Sequence, residues 1–252
     1  MNPAFVQQQL ASAYSDWRHC LDIDGLPLER MSPPILLRVT ERYCDARTRI
    51  IVLGQETHGW SWDENLTKDY PKYPEKWTYP AQVTLRDFLS EETSIDALCW
   101  GYEQFAFARH QPVSWRSPFW QAFRAIESWE NVGVMWSNVF RVDYEGGSIL
   151  NADEEHRLPL MKQQAEVLRR EIEILDPHAC IFLTGPHYDS ILENAFPDLR
   201  TEDVEPVKNA WQLAKLLHPN LPQRTFRTYH PAYLRRSGRW GYLDHVKSQI
   251  VQ

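Results

Sequence analysis

The chain has little of what a metalloprotein, a membrane protein or a disulfide-stapled protein needs. Its four cysteines, Cys20, Cys44, Cys99 and Cys180, are scattered. No pair has the short spacing of a zinc or iron–sulfur site. Free buried thiols in a reducing compartment follow, with no metal and no cofactor expected. No apolar run approaches the roughly 20 residues that cross a bilayer, so no membrane partner is expected. Met1-Asn2-Pro3-Ala4-Phe5 lacks a basic segment leading into an apolar one. The expectation is therefore no secretory signal and a cytoplasmic, monomeric protein. Internal repeats, low-complexity stretches and clear linkers are absent. One domain over 1–252 is expected, with a helical N-terminal extension at about 1–46. Net positive charge is missing too: the total is −7. That argues against broad, non-specific binding to a polyanion.

What is present is unevenly distributed. Residues 224–247 carry six basic residues and one acid, a net +5, which leaves −12 on the rest. A local basic patch can still grip a few phosphates. Eleven tryptophans are many for 252 residues. Most should pack in the core, and one or two could form a stacking surface for a flat ligand.

Apolar spacing at Phe5, Leu10, Ala13 and Trp17 predicts a helix over 3–19. Ser32-Pro33-Pro34 predicts a helix start, with the helix running to about Asp45. Arg49–Leu53, Val132–Asn138, His178–Thr184 and Thr225–Tyr229 read as short buried strands. Helices are expected at about 93–109, 118–129, 154–175 and 239–250, with a short one after Gly185-Pro186. Residues 61–82 carry Pro71, Pro74 and Pro80 without a period and read as a long ordered loop. Strands alternating with helices predict an α/β fold: a three-layer α/β/α arrangement around a mostly parallel four-stranded sheet. In such sheets ligands sit at the carboxyl ends of the strands. The residues there are Gln55-Glu56, Asn138, Gly185-Pro186-His187 and His230.

Each has a plain structural reading. Glu56 can cap a helix, Asn138 can form an Asx turn, and His230 before proline can be a structural histidine. Three polar groups at three strand ends make coincidence less attractive. A metal set built from Glu56, His58, His187 and His230 lacks ligand spacing.

In this order the motifs resemble the uracil-DNA glycosylase superfamily. The strongest match is Tyr229-His230-Pro231-Ala232-Tyr233-Leu234-Arg235, followed by Gly54-Gln55-Glu56, then Trp136-Ser137-Asn138-Val139. The resemblance spans roughly 49–250 and implies a uracil-DNA glycosylase-like fold. It implies a DNA partner and hydrolysis of the N-glycosidic bond of uracil or a related damaged base. Glu56 would then position a water and offset oxocarbenium charge, and His230 would stabilise the departing base. Asn138 would pair with the flipped base and Gln55 would line its pocket. Trp77 and Tyr79 are candidates for the stacking aromatic. Leu234 would be the apolar wedge, Arg235 and Arg236 would hold phosphates, and Gly185-Pro186 would lie on the DNA path. Departures are visible. Glutamate replaces aspartate in the first motif, Thr57 replaces a proline and Ala232 a serine, and the cysteine set of the iron–sulfur branches is missing. Two other readings stay open: an enzyme of this fold acting on small nucleosides or nucleotides, and a non-catalytic base-binding module.

Overall fold

The computed structural model describes residues 1–21, 24, 26–57, 60, 83–91, 93–107 and 116–251. The elements in chain order are α1 (Pro3–Cys20), α2 (Glu41–Asp45), β1 (Thr48–Gly54), α3 (Leu85–Leu89), α4 (Ile95–Phe107), α5 (Pro118–Glu127) and β2 (Val132–Asn138). Then follow α6 (Glu154–Leu175), β3 (Ala179–Phe182), α7 (Asp189–Leu192), β4 (Arg200–Asp203), β5 (Leu213–Leu217), β6 (Arg224–Thr228), α8 (Pro231–Arg236) and α9 (Tyr242–Ile250). The expected loop at 61–82, with Trp77 and Tyr79, lies outside the described residues.

The fold is α/β, built on one six-stranded mixed sheet of order β2-β1-β3-β6-β5-β4. Strands β2, β1, β3 and β6 are parallel, with Gly54 opposite Asn138, Leu53 opposite Phe182, and Phe182 opposite Arg227. Strand β5 runs antiparallel to β6, and β4 antiparallel to β5. The expected four-stranded sheet is therefore a parallel half extended by a hairpin. The hairpin is faint in sequence because all four residues of β4 are exposed, so no apolar alternation marks it. The parallel strands are legible for the opposite reason. Ile50–Leu53 are all at most 1% exposed, as a strand with neighbours on both edges and cover on both faces requires.

Helices cover both faces, an arrangement compatible with three layers. Ser137 and Asn138 point to opposite faces by the period of two. Ser137 Oγ donates to Glu171 of α6, and α1 packs on α6. On the other face Trp136 meets Phe119 and Trp120 of α5. α8 and α9 pack beside α5. Edge strand β2 is protected. The Tyr102 hydroxyl of α4 donates to Trp136 O (2.9 Å) and accepts from Trp136 N (3.3 Å). At Gly133 an added Cβ would lie 2.6 Å from Arg42 O and Tyr43 Cα, so only glycine lets α2 pack this closely.

Helix α1 is capped by Asn2, whose Oδ1 accepts from Phe5 N, and Pro3 sits in its first turn. Its buried face is Val6, Leu10, Ala13, Tyr14 and Trp17, whereas the expected Phe5 is 58% exposed. The helix expected from Ser32 to Asp45 is a correction: 32–40 forms no regular secondary structure and only Glu41–Asp45 is helical. Ile35, Leu36 and Leu37 are all buried. A surface helix buries a stripe rather than three consecutive residues. The backbone of this segment is instead tied to other elements. Ser32 N donates to Asp143 O, Ile35 N to Arg141 O, Leu37 N to Tyr14 Oη and Val39 N to Gln7 Oε1.

Behind β2 lies a buried polar cluster. Arg141 (0% exposed) forks onto Glu171, and also donates to the carbonyls of Asn138 and Val139. Tyr14 Oη and Ser137 Oγ donate to the same Glu171 carboxylate. The chain turn after β2 is thus fixed from beneath by a charge pair with its hydrogen bonds filled.

Candidate functional site

Four parallel strands end on one edge, and their backbones are stitched together there. Val139 N donates to Gly54 O, Phe140 N to Gln55 O, Leu183 N to Leu53 O and Gly185 N to Thr228 O, all within 2.8–3.0 Å. The Gln55 amide donates to Thr184 O at 2.7 Å. Gln55, Asn138 and Gly185 therefore share one edge. Glu56 follows directly from β1 and His230 from β6.

Asn138 is 4% exposed and packs on Gly54. With its amide oriented to suit its neighbours, it donates to Ser137 O (3.1 Å) and accepts from Thr57 N (3.3 Å). A Cβ at Gly54 would overlap the Asn138 side-chain amide and lie 3.0 Å from the Phe119 ring. The glycine is thus required by close approach.

Glu56 is half-buried. Its Oε1 accepts from Tyr188 Oη (3.3 Å) and its Oε2 from Ile149 N (3.2 Å), with the Ser148 hydroxyl also bonded to it. Burial pushes its pKa above the ordinary carboxylate range, and nearby Asp143 adds to the rise. Burial and the Glu56 charge together raise the Tyr188 phenol. Asp143, 1% exposed, accepts from Trp60 N and Gly146 N.

His230 caps α8: Nδ1 accepts from Ala232 N at 3.3 Å, and Pro231 occupies the first turn. Burial lowers its pKa below the ordinary imidazole range. A neutral ring accepting at Nδ1 carries its proton on Nε2, which leaves that nitrogen as a donor.

The predicted contact residues fare differently. Leu234 is 0% exposed, so it is a core residue of α8 and no wedge in this structure. The helix turns that position inward, and Tyr233, 38% exposed, is the ring it shows to solvent. Arg235 and Arg236 are exposed. Arg235 donates to Gln121 and lies over Trp240, and Arg236 lies over Tyr233. Gly185, at φ 81°, and Pro186 are buried, and His187 is the exposed residue of their turn. His58 lies outside the described residues, as do Trp77 and Tyr79.

Sequence reasoning missed several neighbours. Ser148 and Asp143 hold Glu56 or lie beside it from segments with no motif, and Tyr188 ends the short helical turn Pro186–Tyr188. Trp136 is ringed by Tyr102, Phe105, Phe119 and Trp120. Its place in the Trp136-Ser137-Asn138-Val139 match and the abundance of tryptophan were its signals. Buried Thr57 Oγ1, Thr184 Oγ1 and Trp136 Nε1 have no hydrogen-bond partner among the described residues. Each such group costs about 1–3 kcal/mol unless something polar meets it.

No protein-family model matches this chain, and no curated protein does.

The described residues bring one set of metal-ligand types together, Asp153, Glu155 and His156. It lies at the start of α6, where exposed carboxylates complement the helix dipole. An open cavity of about 820 Å³ lies at the opposite sheet edge, between Pro197–Arg200 and Leu216–Gln223. Its titratable lining is Asp198, Arg200 and His218, and His218 packs on Phe196. The strand-end group is the better candidate. It combines a carboxylate raised by burial, an amide, a neutral histidine donor and unfilled hydroxyls.

Proposed function

We propose that the chain is a base-excising glycosylase, hydrolysing the N-glycosidic bond of uracil or a related damaged base in DNA. The observation that carries this reading is the placement of Glu56, Asn138 and His230 at the carboxyl ends of parallel strands β1, β2 and β6, with β3 between β1 and β6. Cleavage of that bond builds positive charge on the sugar and negative charge on the base. Glu56, held by Tyr188, Ser148 and Ile149 N, would face the sugar and orient water. His230 Nε2–H would donate to the departing base, and neutrality suits it to that task. Asn138 and Gln55 would recognise the base edge, and the Trp136 and Phe119 rings would wall the pocket. Preorganised groups of this kind contribute about 2.7–4 kcal/mol each. The order β2-β1-β3-β6 supports a uracil-DNA glycosylase-like fold for the parallel half.

A second reading has its own support. Leu234, the residue in the wedge position, is buried and is not presented to a duplex. That favours single strands, or small nucleosides and nucleotides, which also suit a chain of net charge −7.

The test is release of base from oligonucleotides containing uracil, hypoxanthine or xanthine, single-stranded and mismatched, read as cleavage at the abasic site. Activity should fall at least about 100-fold in Glu56→Gln and His230→Ala. No turnover by the wild type, with no DNA retained at low salt, sinks the reading.

A further inference from the structure

We propose that Trp211 and His187 form a stacking subsite for an unpaired nucleobase on the strand that enters the candidate site. The proposal rests on the nucleic-acid reading above and narrows it to single-stranded substrate.

Trp211 is 57% exposed, which is unusual for so large an apolar ring on an anchored backbone. The anchoring is extensive. Arg227, 1% exposed, donates to Trp211 O (3.0 Å) and Ala210 O (2.9 Å), and forks onto Asp189 at 2.9 and 2.7 Å. Gln212 is held as well. Its carbonyl accepts from Thr228 Oγ1, and its side-chain oxygen accepts from Arg239 Nε and Tyr242 Oη. Burying a guanidinium is costly. Here the buried arginine, paired with half-buried Asp189, fixes the loop that carries an exposed ring, and a ring on a fixed backbone loses little freedom when a base stacks on it.

The ring sits edge-on to His187, at 5.4 Å and 89°, and more than half of the residue's surface meets solvent. His187 directly precedes Tyr188, whose hydroxyl bonds Glu56. Consecutive Cα atoms are about 3.8 Å apart, so one turn of chain links the subsite to the candidate carboxylate. Further aromatic and cationic groups follow β6. A Cβ added at Gly185 would lie 3.9 Å from the Tyr229 ring, Tyr229 lies 4.5 Å from Tyr233, and Arg236 lies over Tyr233 at 5.3 Å. Aromatic rings interleaved with cations are the composition of surfaces that hold single strands. The charges favour an anionic partner. Arg235, Arg236 and Arg239 lie on this segment, and Arg227 neutralises Asp189. Asp203 is also near and accepts from Ala210 N. A duplex hides its base faces in the stack, so only an unpaired strand offers one to Trp211.

The test is fluorescence anisotropy with a labelled thymidine 15-mer, free and in a duplex, alongside base release. Trp211→Ala should weaken single-strand binding about tenfold, and Trp211→Phe should recover most of it. Duplex binding should not change. Because the ring is exposed and the Arg227–Asp189 pair is untouched, the melting temperature should stay at the wild-type value. Unchanged single-strand affinity in Trp211→Ala overturns the subsite. So does a Trp211-dependent dimer in sedimentation, which would make the ring a contact between copies. If Trp211 governs strand binding but Glu56→Gln and His230→Ala release base as fast as wild type, the subsite stands and the catalytic assignment falls.

Discussion

Gly54→Ala probes the join between β1 and β2 on which the candidate site rests. In the parallel register Gly54 faces Asn138. The new methyl group would overlap the Asn138 side-chain amide and come within 3.0 Å of the Phe119 ring. Neither neighbour is a loose chain end. Asn138 is tied to Ser137 O and Thr57 N, and Phe119 packs edge-on to Trp120 and Trp136. Overpacking of this kind costs about 1–3 kcal/mol. Alanine returns roughly 0.4–1 kcal/mol by restricting the unfolded chain, because this glycine needs no left-handed backbone. The net is about 1–2 kcal/mol of destabilisation, or roughly 2–8 °C in melting temperature at this chain length. Urea and thermal unfolding measure it. Gly241→Ala is the control. Nothing lies within 4 Å of its added Cβ, so it should be neutral or slightly stabilising. Displacing the Asn138 amide should also cut base release well beyond the stability loss. Wild-type stability together with wild-type base release in Gly54→Ala would refute this register and the place of Asn138 in the site.

Other predictions rest on separate features. Glu171→Gln leaves Arg141 buried without its counter-charge and should cost about 3–5 kcal/mol, visible as a lower urea midpoint. The folded pKa of His230 is depressed, so its stability contribution is present above the unfolded value and is lost as pH falls through the folded one. The stability gap between wild type and His230→Ala should therefore narrow toward about pH 5. Glu56 has the opposite sign. Its folded pKa is raised, so its contribution is full below the unfolded value and is lost as pH rises through the folded one. Glu56→Gln should thus gain on wild type as pH rises toward 7. Cys44, Cys99 and Cys180 are buried, and burial pushes Cys99 up to about 12. A thiol reagent should label Cys20 alone in the native protein and all four cysteines after denaturation.

The four parallel strands were legible because β1, β2 and β3 are short, largely apolar runs and all four stop at Gly54, Asn138, Gly185-Pro186 and His230-Pro231. The hairpin was not. Its outer strand is polar and exposed throughout, and hydrogen bonding to β5 alone makes it a strand. Ser32-Pro33-Pro34 carries a helix-start signal, but contacts to Arg141, Asp143 and Tyr14 overrode it. The position of Glu56, Asn138 and His230 on one edge followed from strand order alone. Their partners did not, because Tyr188, Ser148 and Asp143 reach Glu56 across long sequence separations. Leu234 was misjudged because a helix, invisible in so short a segment, turns it inward. Nothing in the sequence marks Trp211, whose exposure is set by a buried arginine on a neighbouring strand.

Base release from uracil-containing single-stranded DNA tests the central claim most directly, with Glu56→Gln and His230→Ala measured beside the wild type. The predicted result is an abasic product with wild type and at least about a 100-fold loss in each variant. Product at the same rate in all three, or none from any substrate with no DNA bound at low salt, would contradict it.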